Sequence, residues 1–232
     1  MEIIDLSYYR ILPQQSGATP KILLSEITNE IEFFACTGAY ATTIDFVVSK
    51  ILELSGINTE PVMWGSDLKF YENNFVTLTK FDTNKEWLYY SDTDKLDKLK
   101  NKIEIDFSFL MASLLGGQMW EEDLVGFVDD KNNLRKSFHY NMMFEIELAM
   151  YNSGNSKAAA VFDRLNNEND FFDEEPSLYE DMKPLVDNFL AIKKSDWFNI
   201  LKFPPNSKYE KCKFWSIKKI NDAQKTLRKY YQ

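Results

Sequence analysis

The apolar positions of this 232-residue chain change period several times. "EIIDLSYYRIL" (2–12) is rich in β-branched and aromatic residues and predicts an opening strand. "PQQSGATP" (13–20) follows as a loop, with Thr19 and Pro20 as an N-cap and first helical residue. Ile22, Leu23, Ile27 and Ile31 recur at helical spacing and predict a helix over 20–34. A second helix is expected from Thr43 to Leu54. Its stripe is Ile44, Val47, Val48, Ile51 and Leu54, Gly56 is its stop, and Thr42 with Asp45 is a weak capping box.

From Glu60 the segments become short and aromatic. "PVMW", "LKFYE", "NFVTLTKF" and "EWLYYS" read as strands separated by turn residues. The pair "FVTLTKF" and "EWLYYS" across "DTNK" predicts a hairpin. "DTDKLDKLKNK" is a short charged helix or loop. "IEIDFSF" (103–109) alternates Ile103, Ile105, Phe107 and Phe109 with Glu104, Asp106 and Ser108, the period of a half-buried strand. Leu134–Met150 reads as a long strand paired with "DLVGFVDD" across "KNN"; a helix with Leu134, Phe138, Met142, Ile146 and Met150 inside is the competing reading.

The remainder reads mainly as helix. "SKAAAVFDRLNN" (156–167) is one helix. Ser177 and Glu180 form a capping-box pair before a stripe of Leu178, Met182, Leu185, Val186 and Phe189, with a kink expected at Pro184. "DWFNILKF" is a short amphipathic piece, "YEKCKFWSI" a last strand, and "KKINDAQKTLRKYYQ" a terminal basic helix. The fold class expected is α+β: a mainly antiparallel sheet packed with N-terminal helices and a helical C-terminal third. It forms one domain over 1–232, with 151–156 as the best internal boundary.

Composition narrows the chemistry. Aromatics make up 15% of the chain and hydrophobic residues 44%, enough for a sizeable core. The net charge of -9 disfavours binding to nucleic-acid phosphates or anionic membranes. No run approaches the ~18 apolar residues of a membrane span, and no secretory leader is visible, so a cytoplasmic location is expected. Cys36 and Cys212 lie far apart and outside any CxxC, which predicts two buried reduced thiols and no zinc or iron–sulfur centre.

No GxGxxG or GxxxxGK[ST] is present, and Gly116–Gly117 reads as the end of a short helix. His139 is the single histidine and stands without a GxSxG elbow. Glu104 with Asp106, and Glu145 with Glu147, would share strand faces and could form a metal cage if those faces met. Solvated strand faces explain the same pattern, so no catalytic residue, metal ligand or cofactor is assigned.

Charge is polarised along the chain. Asp163–Asp187 holds nine acids against two bases, whereas Asn206–Gln232 holds eight bases against two acids. A solvated acidic loop and a solvated basic helix account for this simply. The sharper reading takes Asp170, Phe171, Phe172, Asp173, Glu174, Glu175 and Tyr179 as a docking edge, where acids steer a basic protein partner and rings anchor it. The function expected from the sequence is a binding protein, an inhibitor or immunity protein that occludes a basic, nucleic-acid-directed protein. A carboxylate-based, metal-dependent hydrolase and a structural subunit are the alternatives.

Overall fold

In the computed structural model, residues 2–13, 21–37, 41–69, 75–89, 91–115, 124–136 and 176–231 are described. Six strands form a curled mixed sheet in the order β1-β5-β6-β4-β3-β2. They are β1 (Ile3–Asp5), β2 (Tyr9–Ile11), β3 (Lys21–Ser25), β4 (Ile31–Cys36), β5 (Met63–Ser66) and β6 (Phe75–Lys80). Only β1 and β5 pair in parallel. Helix α1 (Ala41–Leu54) connects β4 to β5. A small antiparallel sheet, β7-β8-β9, follows, from β7 (Glu86–Tyr89), β8 (Leu124–Val128) and β9 (Leu134–Lys136). Between β7 and β8 run α2 (Thr93–Leu96) and α3 (Lys102–Leu114). The C-terminal region is helical: α4 (Pro176–Ala191), α5 (Lys194–Ile200) and α6 (Lys208–Tyr231). The α+β class and the helical end are as the sequence predicts, but the N-terminal part of the chain is strands.

The helix expected over 20–34 is the β3–β4 hairpin. Its apolar residues fit helical spacing, but the middle of the segment is turn chemistry. The Ser25 hydroxyl accepts from the Ile27 and Thr28 amides, and Asn29 adopts a φ of 57° that a helix forbids. Ile27, counted into the helical stripe, sits at the turn and is 74% exposed. Helix α1 forms as expected and ends in a Schellman motif. Gly56, at φ 93°, donates to the Glu53 carbonyl, and Ile57 donates to that of Leu52. Thr42 is inside the helix rather than at its cap.

The β6–β7 hairpin does not exist. β6 lies between β4 and β5, and β7 pairs with β8 in the second sheet. The β8–β9 hairpin across 131–133 is present as expected, fastened by Asp129, whose carboxylate accepts from the Lys131 and Asn133 amides. Residues 137–150 of that predicted strand lie outside the described residues, as do 156–167 and Gly116–Gly117.

Residues 103–109 are in α3, not a strand. Alternation misleads here because the helix is buried nearly all round. Ile105 and Phe107 are buried, and so are Asp106 and Ser108. Ser108 donates to the Glu104 carbonyl, and Lys102 donates to Asp106 Oδ1 at 2.7 Å. "YEKCKFWSI" is likewise helical and forms the first half of α6. Tyr209, Cys212, Trp215, Ser216, Ile220, Ala223 and Leu227 make one buried stripe at three- and four-residue spacing. Helix α4 buries Met182, Val186 and Phe189 and continues through Pro184 to Ala191, so the helix extends beyond the expected kink. Buried Gln224 of α6 donates to the Phe189 and Ile192 carbonyls and so caps the end of α4. Cys36 and Cys212 are buried thiols outside any disulfide.

One large core joins α1, α3 and the C-terminal helices, and a smaller one fills the other face of the sheet with Leu6, Leu23, Phe33, Ala35, Leu68, Val76 and Leu78. Gly65 is needed in that smaller core, since a Cβ there would stand 2.6 Å from Leu6 Cδ1 and 2.8 Å from Leu78 Cδ1. Gly65→Ala should therefore destabilise the fold by about 1–3 kcal/mol through overpacking, read as a lower urea midpoint at unchanged slope.

A second prediction concerns Tyr9, whose hydroxyl donates to Glu32 at 2.6 Å. Partial burial, then the hydrogen bond and charge of Glu32, push the phenol up to about 12 from its ordinary 10.0. The fold thus favours the neutral phenol. The contribution is complete below the unfolded value of about 10 and is lost as pH rises toward 12. The stability difference between the wild type and Tyr9→Phe should be constant up to pH ~10 and shrink above it; a flat difference to pH 12 would refute the pair's role.

Candidate functional site

Strand alternation gives the curled sheet two different faces. Leu23, Phe33, Ala35 and Leu78 share one, and Ile22, Phe34, Cys36, Thr77 and Thr79 share the other by register. The second face meets α1. Thr77 pairs across strands with Cys36, and its hydroxyl donates to the Asp45 carboxylate of α1 at 3.1 Å. Thr77 and Asp45 are both buried. The sequence offers Asp45 as a helix-capping acid; tertiary packing instead turns it toward the sheet. The available signal was weak: two threonines, Thr77 and Thr79, inside an otherwise apolar strand.

Next to this pair, where β6 leaves the sheet, four rings stack. Phe34 and Phe81 lie 5.9 Å apart at 17°, Phe81 and Trp87 4.7 Å apart at 21°. Phe127 of β8 packs on Trp87 at 5.1 Å, so the rings bridge the curled sheet to the small one. Phe34 and Phe127 are buried, whereas Phe81 and Trp87 keep part of their surface open. The Trp87 indole is fixed by donating to the Asp82 carbonyl at 3.0 Å. Phe34 stands on the same sheet face as Thr77, so the ring cluster and the Asp45–Thr77 pair share that face.

The charges on α3 serve the helix itself. Lys102 lies between Asp97 (3.1 Å) and Asp106 (2.7 Å). Burial works against its charged form, but the bonds to Asp106 and Asp97 outweigh that and raise its pKa. Glu104 and Asp106, expected on one strand face, are two apart on a helix and therefore point about 200° apart. Among the described residues no group of three or more His, Cys, Asp or Glu is placed to hold a metal. Glu145, Glu147 and His139 lie outside the described residues.

Of the predicted docking edge, Asp170, Phe171, Phe172, Asp173, Glu174 and Glu175 also lie outside the described residues. Tyr179 falls in the first turn of α4. The basic end of the chain is α6, with Arg228 and Lys229 in its last turn, where positive charge favours the helix dipole. Among the described residues no helix is long and apolar enough to cross a membrane.

No protein-family model matches the sequence, and no curated protein does. The structure is nevertheless similar to that of the proinflammatory kinase CtkA of Helicobacter pylori. The TM-score is 0.53 at 13% identity, over 96% of this chain and 94% of that chain. The likeness takes in the curled sheet, the small sheet and the helical end together. It overturns the expectation of an inhibitor or immunity protein: that reading rested on missing motifs and an acidic stretch, and the chain as a whole has a kinase-like fold.

Proposed function

We propose that this protein binds a nucleoside triphosphate at the junction of the curled sheet, α1 and the small sheet, in the manner of a kinase-like protein. The observation that carries the reading is the full-length likeness to a kinase. Chain order supports it. Protein kinases place a phosphate-covering loop between their first strands, a phosphate-binding lysine on the third, and its carboxylate partner on the following helix. Here the β2–β3 connection, β4 and α1 succeed one another in that order. Asp45 is the buried carboxylate that α1 brings to the sheet. Phe81 and Trp87 keep part of their surface open at the same junction, apolar surface against which a base can pack.

One feature favours a second reading, binding without phosphoryl transfer. β4 is "IEFFAC" and carries no lysine. Lys21 of β3 is buried and pairs across strands with Ala35, but that register puts it on the face of Leu78, opposite Thr77 and Asp45. It is therefore no simple replacement.

Thermal melting with ATP or GTP and magnesium tests the first reading. Saturating nucleotide should raise the Tm, with about 2.7 kcal/mol of added stability at a hundredfold excess over Kd. Trp87→Leu should weaken binding about tenfold, the loss of roughly 1.4 kcal/mol of packing against the partly open ring. An unchanged melting curve at millimolar nucleotide would overturn the proposal. Transfer of labelled γ-phosphate to protein would overturn the second reading and favour a working kinase.

A further inference from the structure

A different site lies on the other side of α1. The second half of that helix, β5 and the end of α5 line an open pocket of about 500 Å³, within the usual range for small-molecule sites. Its inner end holds Phe46 and Trp64, rings 5.2 Å apart that are packed in turn on Phe203. Its walls are Leu54, Val62, Met63 and Ile200. Leu54 is 38% exposed although it stands on the apolar stripe of its helix, because the pocket in front of it is open. The floor belongs to the main core, so the pocket is preformed and needs no rearrangement to receive a ligand.

The rim sets the polarity of the occupant. Lys50 is engaged with Glu53 at 2.6 Å, which leaves that pair neutral toward a ligand. Lys202, on the helical side beside Asn199, makes no ion pair among the described residues. Glu2 is the opposing acid, and it precedes β1 on the sheet side. A donor edge of Asn199 and Lys202 above an apolar well fits a molecule with a compact apolar body and one anionic head.

We propose that this pocket binds a small amphiphilic anion: a ring or short hydrocarbon body against Leu54, Val62, Met63 and Ile200, with its acidic group at Lys202. Binding follows from the pocket alone. Its regulatory consequence rests on the nucleotide reading above. A ligand wedged against the Phe46–Leu54 half of α1 fixes the helix that carries Asp45, and the position of the corresponding helix controls activity in protein kinases.

The probe is 8-anilinonaphthalene-1-sulfonate, an aromatic body with a sulfonate. The full chain should bind it at one saturable site, with a blue-shifted emission. Lys202→Glu should weaken binding about tenfold, and Lys202→Arg should restore it. Leu54→Arg should abolish it while near-UV circular dichroism stays native. If that variant loses its native spectrum, the two Lys202 variants decide, because the side chain they alter is exposed. Multisite binding indifferent to Lys202 would overturn the proposal. Nucleotide affinity measured with and without the probe separates the two ideas. Probe binding without any nucleotide binding leaves the pocket standing and removes the kinase-like function. Nucleotide binding without probe binding does the reverse.

Discussion

The joint between the sheet and the helical region is a cluster of rings around Trp64. Phe46 from α1, Phe203 from the segment after α5, and Tyr209 from α6 all pack within about 6 Å of it. Each ring comes from a different element, so none of the elements can bury its apolar face without the others. Tyr209 adds direction. Its hydroxyl donates to the Phe75 carbonyl at 3.0 Å, tying the start of α6 to the start of β6. Large rings contribute much burial and only a few allowed packings. A chain with 15% aromatics can thus hold two unlike halves, one of strands and one of helices, in a fixed relation.

That joint also explains which parts of the fold were legible in the sequence. Helix α4 is amphipathic in the ordinary way, with Met182, Val186 and Phe189 on the core, and α1 kept its helical period in Val47, Val48 and Ile51 although Thr42, Thr43, Asp45 and Ser49 are buried too. Helix α3 is surrounded, so its polar positions Asp106 and Ser108 are as buried as its apolar ones and the helical period disappears. What remains visible is an accidental alternation. The β3–β4 hairpin fails for the same reason. Its strands are buried on both faces, so their apolar runs carry no period of two, and the turn residues Ser25 and Asn29 were the better signal. The β6–β7 misreading is topological. "DTNK" has the chemistry of a turn, but β6 already has neighbours on both edges, β4 and β5, and no edge is left for β7.

The site was less legible than the fold. Nucleotide sites are usually recognised from glycine loops and lysines, and β4 lacks the lysine. Its candidate groups are common residue types, Thr77, Asp45, Phe81 and Trp87, contributed by a strand, a helix and two strand ends. Nothing in their sequence spacing links them; cross-strand register and the curl of the sheet do. The acidic stretch drew attention because charge is visible without a fold. A kinase-like fold over nearly the whole chain, by contrast, is written in element order and packing, which survive at 13% identity.

Helix α1 stands between the two candidate sites, and its sequence divides accordingly. The first half faces the sheet with buried Thr42, Thr43 and Asp45; the second half gives Lys50, Glu53 and Leu54 to the pocket. A 14-residue helix is about 21 Å long and moves as a unit. Its C-terminal end is tied to α4, where Asn188 donates to the Ser55 carbonyl. Its N-terminal end is held by the Asp45–Thr77 bond. A ligand that changes packing at the Leu54 end must therefore either leave the helix in place or shift Asp45 with it. The Schellman turn cannot absorb such a motion locally, since both of its hydrogen bonds return to α1 itself. Any coupling between the pocket and the Asp45–Thr77 junction would pass through the rigid translation or rotation of this one element.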